Sequence, residues 1–121
     1  METIVTILSL VVALGIFNVW IFRLSRPTAW RGGEAQNMKE EFAVYGLPGW
    51  FMYLIGFFKL SLAVLLIAAI WFPAVRPIAG GGMATLMAGA VAMHFKVKDP
   101  AQKAVPALCM LGMSLALALL N

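Results

Sequence analysis

The most unusual residue of this sequence is a lysine inside a long apolar segment. Lys59 is the only charged residue between Trp50 and Trp71. At a helical rise of ~1.5 Å per residue it lies roughly 13 Å beyond Trp50, near the middle of a bilayer. A lysine at that depth costs about 2.5–3.5 kcal/mol on insertion scales. Gly56 and Ala63 flank it on the same helical face, so we expect this narrow face to point into a helix bundle.

Two interpretations of Lys59 stay open. In the functional one it is a proton-linked group, or an anchor for an anionic or carbonyl-bearing ligand. In the structural one it is a buried ammonium group bound by backbone carbonyls or by a carboxylate. Glu41 is the first-choice carboxylate, because the apolar segments contain no acidic residue beyond Glu2 at one edge.

Other polar side chains are placed to share a site with this lysine. Tyr53 lies one turn after Trp50 and is expected to present its hydroxyl inward, and His94 lies near the end of the third apolar segment. His94 is either a polar cap at the interface or part of a site, and Asp99 is expected to pair with it or with Lys96. We predict a cavity open to one side of the membrane and lined by four residues: Glu41, Tyr53, Lys59 and His94.

Small and polar residues within the apolar segments are expected to pack helices together. Asn18 is the only amide in a span and is expected to hydrogen-bond across helices. Small-xxx-small rows let helices approach closely in lipid, either within the bundle or between copies of the chain. The third segment has such a row at four-residue spacing: Gly80, Ala84, Ala88 and Ala92.

The composition is that of a polytopic membrane protein. Of the 121 residues, 63% are hydrophobic and only 12% are charged, too little polar surface for a soluble domain. One cysteine and one histidine exclude an internal disulfide, a cysteine metal site and bis-histidine haem ligation, so we expect no metal site and no intrinsic cofactor. The net charge of +4 is explained by membrane orientation rather than by nucleic-acid binding.

We predict an all-α fold: a four-transmembrane-helix bundle with a short interfacial helix in the first loop. The chain is expected to be one domain, residues 1–121, with each span near the ~20 residues that a bilayer requires. In "NMKEEFAVYG", Asn37 is a plausible N-cap, Glu40 closes a capping box, and Gly46 ends the short helix. The predicted spans are about 3–22, 49–72, 75–95 and 104–120, and the interfacial helix covers about 38–45.

The basic residues predict the orientation. Only Arg76 lies in the second loop, whereas seven basic residues lie in the first and third: Arg23, Arg26, Arg31, Lys39, Lys96, Lys98 and Lys103. By the positive-inside rule, the first and third loops are cytoplasmic and both termini lie on the outer side. We expect a bacterial inner membrane.

The order of these motifs resembles the DoxX-like family of small four-helix membrane proteins. The resemblance covers most of the chain and is carried by "YGLPG" at Tyr45, Gly56-x-x-Lys59, "HFKVKDP" and "KAVPA". Family members carry a glutamate or a lysine where Lys59 stands. Named relatives include subunits of membrane oxidoreductases, one of them linked to quinone, and a similar eukaryotic branch assists the assembly of ligand-gated channels.

Two functions are therefore expected, and neither makes the chain an enzyme on its own. The first is an accessory subunit of a quinone-linked membrane redox system, in which Lys59 and His94 bind a quinone carbonyl or an anionic substrate. The second is a non-catalytic assembly or structural protein that packs against another membrane protein or a second copy of itself. In both, the lipid bilayer is a partner.

Overall fold

A computed structural model describes residues 2–28 and 30–120 as an all-helical chain. Four of the helices are long and apolar enough to cross a membrane. The elements in chain order are α1 (Glu2–Phe17), a π-helical turn (Asn18–Phe22), α2 (Met38–Val44), α3 (Gly49–Ala68), a 3₁₀ turn (Pro73–Val75), α4 (Arg76–Lys96) and α5 (Ala101–Leu119). No strand is found among the described residues.

The four long helices form a closed bundle in which α1 packs against α3 and α5, and α4 packs against α3 and α5. Its centre is filled by small and medium apolar side chains that are fully buried, such as Val12, Ala63 and Leu117. Many large apolar side chains are exposed on the outside, as lipid-facing helices require. Trp50 and Trp71, 68% and 70% exposed at the two ends of α3, fit the two aromatic belts of one span.

The first and third connections between the long helices lie at the same end of the bundle, which we call the loop end: residues 23–48 and 97–100. The opposite end, where residues 69–75 join α3 to α4, is the turn end. At the turn end Arg76 is buried and donates from Nη2 to the carbonyl of Ala69, 3.3 Å away. Arg76 thus places a positive charge on the last carbonyls of α3, where a cation is favourable.

The predicted boundaries are close to the observed ones, with two differences. α3 ends at Ala68 rather than near residue 72, because residues 69–72 form tight turns. α5 begins at Ala101 rather than near residue 104 and is 19 residues long, with Pro106 inside it. Pro100 stands before the first turn, where a missing N–H is tolerated, so the chain becomes helical earlier than the prolines suggested.

The interfacial helix α2 has the ends that its sequence predicts. Asn37 Oδ1 accepts a hydrogen bond from the backbone N–H of Glu40, at 2.8 Å. The Glu40 carboxylate reaches back one residue further than in a standard capping box and accepts from the N–H of Gln36, at 3.0 Å. Gly46 has φ +80°, and the N–H of Leu47 reaches the carbonyl of Phe42. These bonds form a Schellman motif.

The row of small residues on α4 does not stay on one face. Gly80 and Ala84 are buried, and a Cβ on Gly80 would lie 2.8 Å from the backbone nitrogen of Ala118 on α5. Ala88 and Ala92 are exposed. The reason is geometric: with 3.6 residues per turn, a four-residue step advances by roughly 40°, so the row winds out of the interface. Within the bundle, the row therefore packs through Gly80 and Ala84 only, and a contact of Ala88 and Ala92 with a second copy of the chain stays a prediction.

Candidate functional site

A cavity of about 770 Å³ lies at the loop end of the bundle. Its walls come from the π-helical turn, α3, α4 and α5, and α2 and the first loop lie over it. Much of the lining is apolar, including Met87, Ala90 and Met110. Its charged and titratable lining residues are Arg23, Arg31, Glu41, Tyr45, Lys59, His94 and Lys103. The volume falls within the range of ~300–1,000 Å³ that small-molecule sites occupy.

Lys59 is buried in the bundle and lines this cavity. Because α3 begins at the loop end and helical side chains tilt towards the N-terminus of their helix, the stem of Lys59 leads towards the loop end. Its Nζ lies 5.5 Å from the ring centroid of Trp20, a cation–π arrangement. No hydrogen bond to Nζ is found within residues 2–28 and 30–120. The expected narrow face is also present, since Gly56 and Ala63 are both buried.

The π-helical turn positions Trp20. The N–H of Arg23 bonds to the carbonyl of Asn18 at 2.9 Å, five residues back, which is the π pattern. The wider turn places the Trp20 ring against Gly56, where a Cβ would lie 2.7 Å from a ring carbon. The ring also meets Phe42 of α2 edge-on, with centroids 6.1 Å apart. One aromatic side chain therefore links α1, α2 and the Lys59 face.

Glu41 does not form the predicted ion pair with Lys59. Its Oε1 lies 3.1 Å from Nη1 of Arg31, and its Oε2 accepts the hydroxyl hydrogen bond of Tyr45 at 2.7 Å. Arg31 rather than Lys59 pairs with the Glu41 carboxylate, because Arg31 lies at the loop end beside Glu41 and its guanidinium offers several donors in a fixed geometry. Glu41 and Lys59 still line the same cavity, but the Glu41 carboxylate is already compensated.

Arg31 is the central residue of the first loop, and it is buried with 3% exposure. Besides the Glu41 carboxylate, its guanidinium donates to the backbone carbonyls of Arg23, Leu24 and Arg26. Five donors in a fixed geometry can satisfy several carbonyls at once, whereas a lysine cannot. Arg31 thereby folds the irregular segment before α2 around one charge.

Tyr45 ends α2 and is buried beside Glu41. Burial, followed by the Glu41 carboxylate that accepts its hydrogen bond, raises the pKa of Tyr45 well above its ordinary value of 10.0. Its hydroxyl is therefore a stable hydrogen-bond donor at neutral pH. Its carbonyl accepts from Nζ of Lys96 at 2.8 Å, so the end of α2 is also tied to the end of α4.

His94 and Asp99 form a pair at the end of α4, with Nδ1 and Oδ2 2.8 Å apart. Asp99 was expected to pair with His94 or Lys96, and the structure selects His94. The other oxygen, Oδ1, accepts from the backbone N–H of Gly33 at 2.9 Å. Burial alone would raise the pKa of Asp99, but the hydrogen bonds from His94 and Gly33, with the nearby positive charges, lower it overall.

The third loop holds the first loop in place through Gly33. The N–H of Gly33 donates to Asp99, and its carbonyl accepts from Nζ of Lys103. Together with the bond from Lys96 to the Tyr45 carbonyl, these contacts form what we call the loop clamp: Gly33, Tyr45, Lys96, Asp99 and Lys103. The loop clamp fixes α2 and the first loop over the cavity.

Two predicted site residues have other positions. Tyr53 is 71% exposed and borders a separate groove of about 180 Å³ on the outside of α1 and α3. Tyr53 lies six residues before Lys59, whereas a spacing of seven or eight residues would place it on the same face of the helix. It therefore lies on the lipid-facing side of α3. Asn18 lines the cavity but is exposed, and no hydrogen bond of its side chain is found among the described residues. Its predicted bond across helices is absent there, because its side chain is exposed beside the cavity rather than packed between two helices.

The sequence identified Lys59, Glu41, His94 and Asp99 as candidate residues but overlooked Arg31, Trp20 and Tyr45. The sequence held one signal for Tyr45, the glycine pair Gly32-Gly33. In the structure the Tyr45 ring lies so close to Gly32 that a Cβ there would be 2.4 Å from it. A glycine pair in a charged loop can mark such a close approach. No group of three His, Cys, Asp or Glu residues placed to hold a metal ion occurs in the described part of the chain.

Comparison with known families agrees with this architecture. The sequence profile of the DoxX-like family matches residues 7–117, which include every residue that lines the cavity. Comparison with curated proteins and with solved structures gives no match. With its four apolar helices, the protein is an integral membrane protein. On the strength of the profile match, which covers nearly the whole chain, it belongs to the DoxX-like family.

Proposed function

We propose that the protein binds the ring of a quinone in the loop-end cavity and acts as an accessory subunit of a quinone-linked membrane redox system. The observation that carries the proposal is Lys59: a buried lysine that lines a large cavity, with no hydrogen bond to its Nζ among the described residues. An ammonium group that faces an apolar cavity gains from a hydrogen-bond acceptor, and a ligand carbonyl would supply one.

The surroundings of Lys59 suit a flat, amphipathic ligand. The Trp20 ring offers an aromatic face beside Nζ, and aromatic rings pack favourably in offset or edge-on arrangements. The apolar walls of α4 and α5, with Met87 and Met110, suit an isoprenoid tail. His94 and Tyr45 lie along the same cavity and provide polar atoms nearer the loop end.

The role is that of a subunit rather than a complete oxidoreductase. With one cysteine and one histidine, the chain has too few ligands to hold an iron–sulfur cluster or a bis-histidine haem by itself. A quinone would supply the redox-active ring. The residues of this chain would bind, orient and shield that ring, and a partner protein would hold the electron-transfer centre.

Tryptophan fluorescence tests the proposal directly, because quinones quench tryptophans that they contact. Trp30, Trp50 and Trp71 are changed to Phe, which leaves Trp20, and decylubiquinone is titrated into the protein in nanodiscs. We expect saturable quenching, and Lys59→Met should weaken it at least tenfold, or about 1.4 kcal/mol. Tyr53→Phe, on the lipid-facing side of α3, is the matched control. Non-saturable quenching, or equal quenching in Lys59→Met, would contradict the proposal.

A second candidate is an assembly or structural protein that packs against another membrane protein or a second copy. It is favoured by the exposed small residues Ala88 and Ala92, which leave part of α4 open to a close helix–helix contact. Mild solubilisation followed by native mass spectrometry tests it. Co-purified subunits or dimers that disappear in Ala92→Leu would support this function, whereas a monomer that binds quinone would favour the first.

We further propose that the loop end faces the cytoplasm of a bacterium, with both termini on the outer side of the inner membrane. The basic residues of the loop end support this orientation. In a Cys109→Ala background, Lys39→Cys reports on the loop end and Ala74→Cys on the turn end. A membrane-impermeant maleimide added to intact spheroplasts should label only Ala74→Cys. Labelling of Lys39→Cys alone would reverse the topology.

A further inference from the structure

We propose that the cavity binds its ligand as a hydroxylated aromatic ring, that Nε2 of His94 takes the proton of that hydroxyl, and that Lys59 holds the resulting phenolate. This inference rests on the proposed function, because the reduced form of a quinone is such a ring, and it names the form in which the ligand is bound. The step breaks one O–H bond and forms one N–H bond. No electron is transferred and no further reactant is needed.

The His94–Asp99 pair makes His94 a proton acceptor. An ionised carboxylate can only accept hydrogen bonds, so the 2.8 Å contact places the ring proton on Nδ1 and leaves the lone pair on Nε2. Asp99 stays ionised at neutral pH because its pKa is lowered. A carboxylate behind a histidine fixes the tautomer and stabilises the imidazolium that forms when Nε2 takes a proton. Asp99 is thus a positioning residue for His94.

His94 is held in one orientation facing the cavity. Its ring meets the Tyr45 ring edge-on, with centroids 5.9 Å apart, while Asp99 is itself fixed by the N–H of Gly33. His94 lines the cavity from α4, and no partner of Nε2 is found among the described residues. The free nitrogen and the ammonium group of Lys59 therefore belong to one cavity, reached from two different helices.

The charges around His94 favour an anionic ligand. Its ring contacts Asp99 and Tyr45, and Lys96 binds the Tyr45 carbonyl beside it. Of the other charges in the cavity, Glu41 is paired with Arg31, and the Tyr45 hydroxyl donates to the same carboxylate. The lysine and arginine side chains left without a carboxylate partner in the described lining are Arg23, Lys59 and Lys103. A phenolate formed at His94 would therefore meet a net positive field.

A coloured phenol that undergoes no redox chemistry provides the test. A para-nitrophenol with an ortho-heptyl chain is added to the protein in nanodiscs, and the visible band of the nitrophenolate is followed against pH. Wild-type protein should ionise the bound probe about one pH unit or more below its value in empty nanodiscs, since a cation and a base both favour the anion. Binding of the neutral phenol alone would overturn the inference.

Asp99→Asn is the decisive variant. An asparagine can still accept from Gly33 with its oxygen, but its amide donates to Nδ1, so the ring proton moves to Nε2 and His94 no longer accepts. We expect the variant to bind the probe without ionising it, whereas Tyr53→Phe ionises it like the wild type. Wild-type ionisation by Asp99→Asn would contradict the inference. If circular dichroism shows that Asp99→Asn does not fold, His94→Gln replaces it as the test variant. His94→Gln should likewise bind the probe without ionising it.

The outcomes separate this inference from the function on which it rests. If decylubiquinone quenches Trp20 saturably but the nitrophenol is not ionised, the protein binds quinones and the acid–base role of His94 is wrong. If neither probe binds, both proposals are wrong. Ionisation that is lost in Asp99→Asn and in Lys59→Met, with quinone quenching in the wild type, supports both.

Discussion

Lys59 combines a high energetic cost with a place in the large cavity at the loop end. Its ammonium group is stabilised there by the face of Trp20, and a cation–π contact contributes only about 0.5–2 kcal/mol. That is less than the ~2.5–3.5 kcal/mol that insertion of a lysine costs at the bilayer centre. Lys59 is therefore expected to lower the stability of the ligand-free protein.

This imbalance predicts the effect of Lys59→Met on stability. Methionine is unbranched and only one atom shorter than lysine, so it keeps most of the packing of the side chain while it removes the charge. We expect the variant to be more stable by ~1–3 kcal/mol and to lose ligand binding, measured by chemical unfolding in detergent and by Trp20 quenching. Leu65→Met, on the exposed side of α3, is the control. A less stable Lys59→Met would show that the ammonium group has a structural role.

Tyr45 predicts a loss of stability at alkaline pH. Because its pKa is raised in the folded state by burial and by Glu41, its contribution to stability is fully present below the unfolded value of 10.0 and is lost as the pH rises above that value. Unfolding curves between pH 8 and 11 should show this decline, and Tyr45→Phe should show a shallower one. Tyr53→Phe, whose ring is exposed, should behave like the wild type.

At the scale of residues, the sequence pointed to the charged residues but to few of their partners. Lys59 and the His94–Asp99 pair were recognisable because such residues are rare in apolar segments or close together in the chain. Arg31 was not, since it is one of three arginines in the first loop and nothing in the local pattern sets it apart. Its role depends on carbonyls of residues 23, 24 and 26, which an irregular loop brings together only in three dimensions.

At the scale of elements, the α4–α5 interface depends on the absence of a side chain at one glycine. A Cβ on Gly80 would lie 2.8 Å from the backbone nitrogen of Ala118, whereas a Cβ on Gly81 meets nothing within 4 Å. We expect Gly80→Ala to destabilise the protein by ~1–3 kcal/mol, since backbone cannot move aside as a side chain can. Gly81→Ala should be neutral or stabilising by up to ~1 kcal/mol, because alanine is the better helix former.

Chemical unfolding of the two alanine variants in the same detergent checks this prediction. The pair is well matched, since both changes add one methyl group to adjacent positions of the same helix. Equal stabilities would mean that α4 and α5 are not as close as the structure places them.

The helices themselves followed from hydropathy and from their capping residues. All four spans and α2 were predicted within a few residues, because long apolar segments and a Schellman glycine are local signals. Only the first half of the four-residue row on α4 packs within the bundle, because a repeat of four drifts around a helix of 3.6 residues per turn. The π turn at Asn18–Phe22 had no local signal in the apolar sequence around it.

At the scale of the whole molecule, the loop clamp joins residues that lie 51–70 positions apart in the chain. Lys96→Met together with Lys103→Met would remove two of its three side-chain bonds and leave the four spans unchanged. Amide hydrogen exchange should then become about tenfold or more faster across residues 30–46, as expected for a segment whose local opening free energy falls by ~1.4 kcal/mol or more.

The spans provide an internal reference for this measurement, since their exchange should not change. Lys39→Met is the matched control, because Lys39 lies on the exposed side of α2 and outside the loop clamp. Unchanged protection of residues 30–46 in the double variant would show that the packing of Trp20 and Phe42 alone holds the first loop over the cavity.

The π-helical turn in α1 determines how the protein tolerates changes in length. The turn contains one residue more than a regular helical turn needs, as the five-residue hydrogen bond between Arg23 and Asn18 shows. Deleting Val19 would let the helix continue as a regular α-helix, and the residues before the deletion would keep their orientation relative to Trp20, because the π turn already accommodates the extra residue. Ser9 and Val12, now fully buried, would stay in the centre of the bundle. The same deletion within the regular part of α1 would instead rotate every earlier residue by ~100° and uncouple the first span from the loop-end cavity.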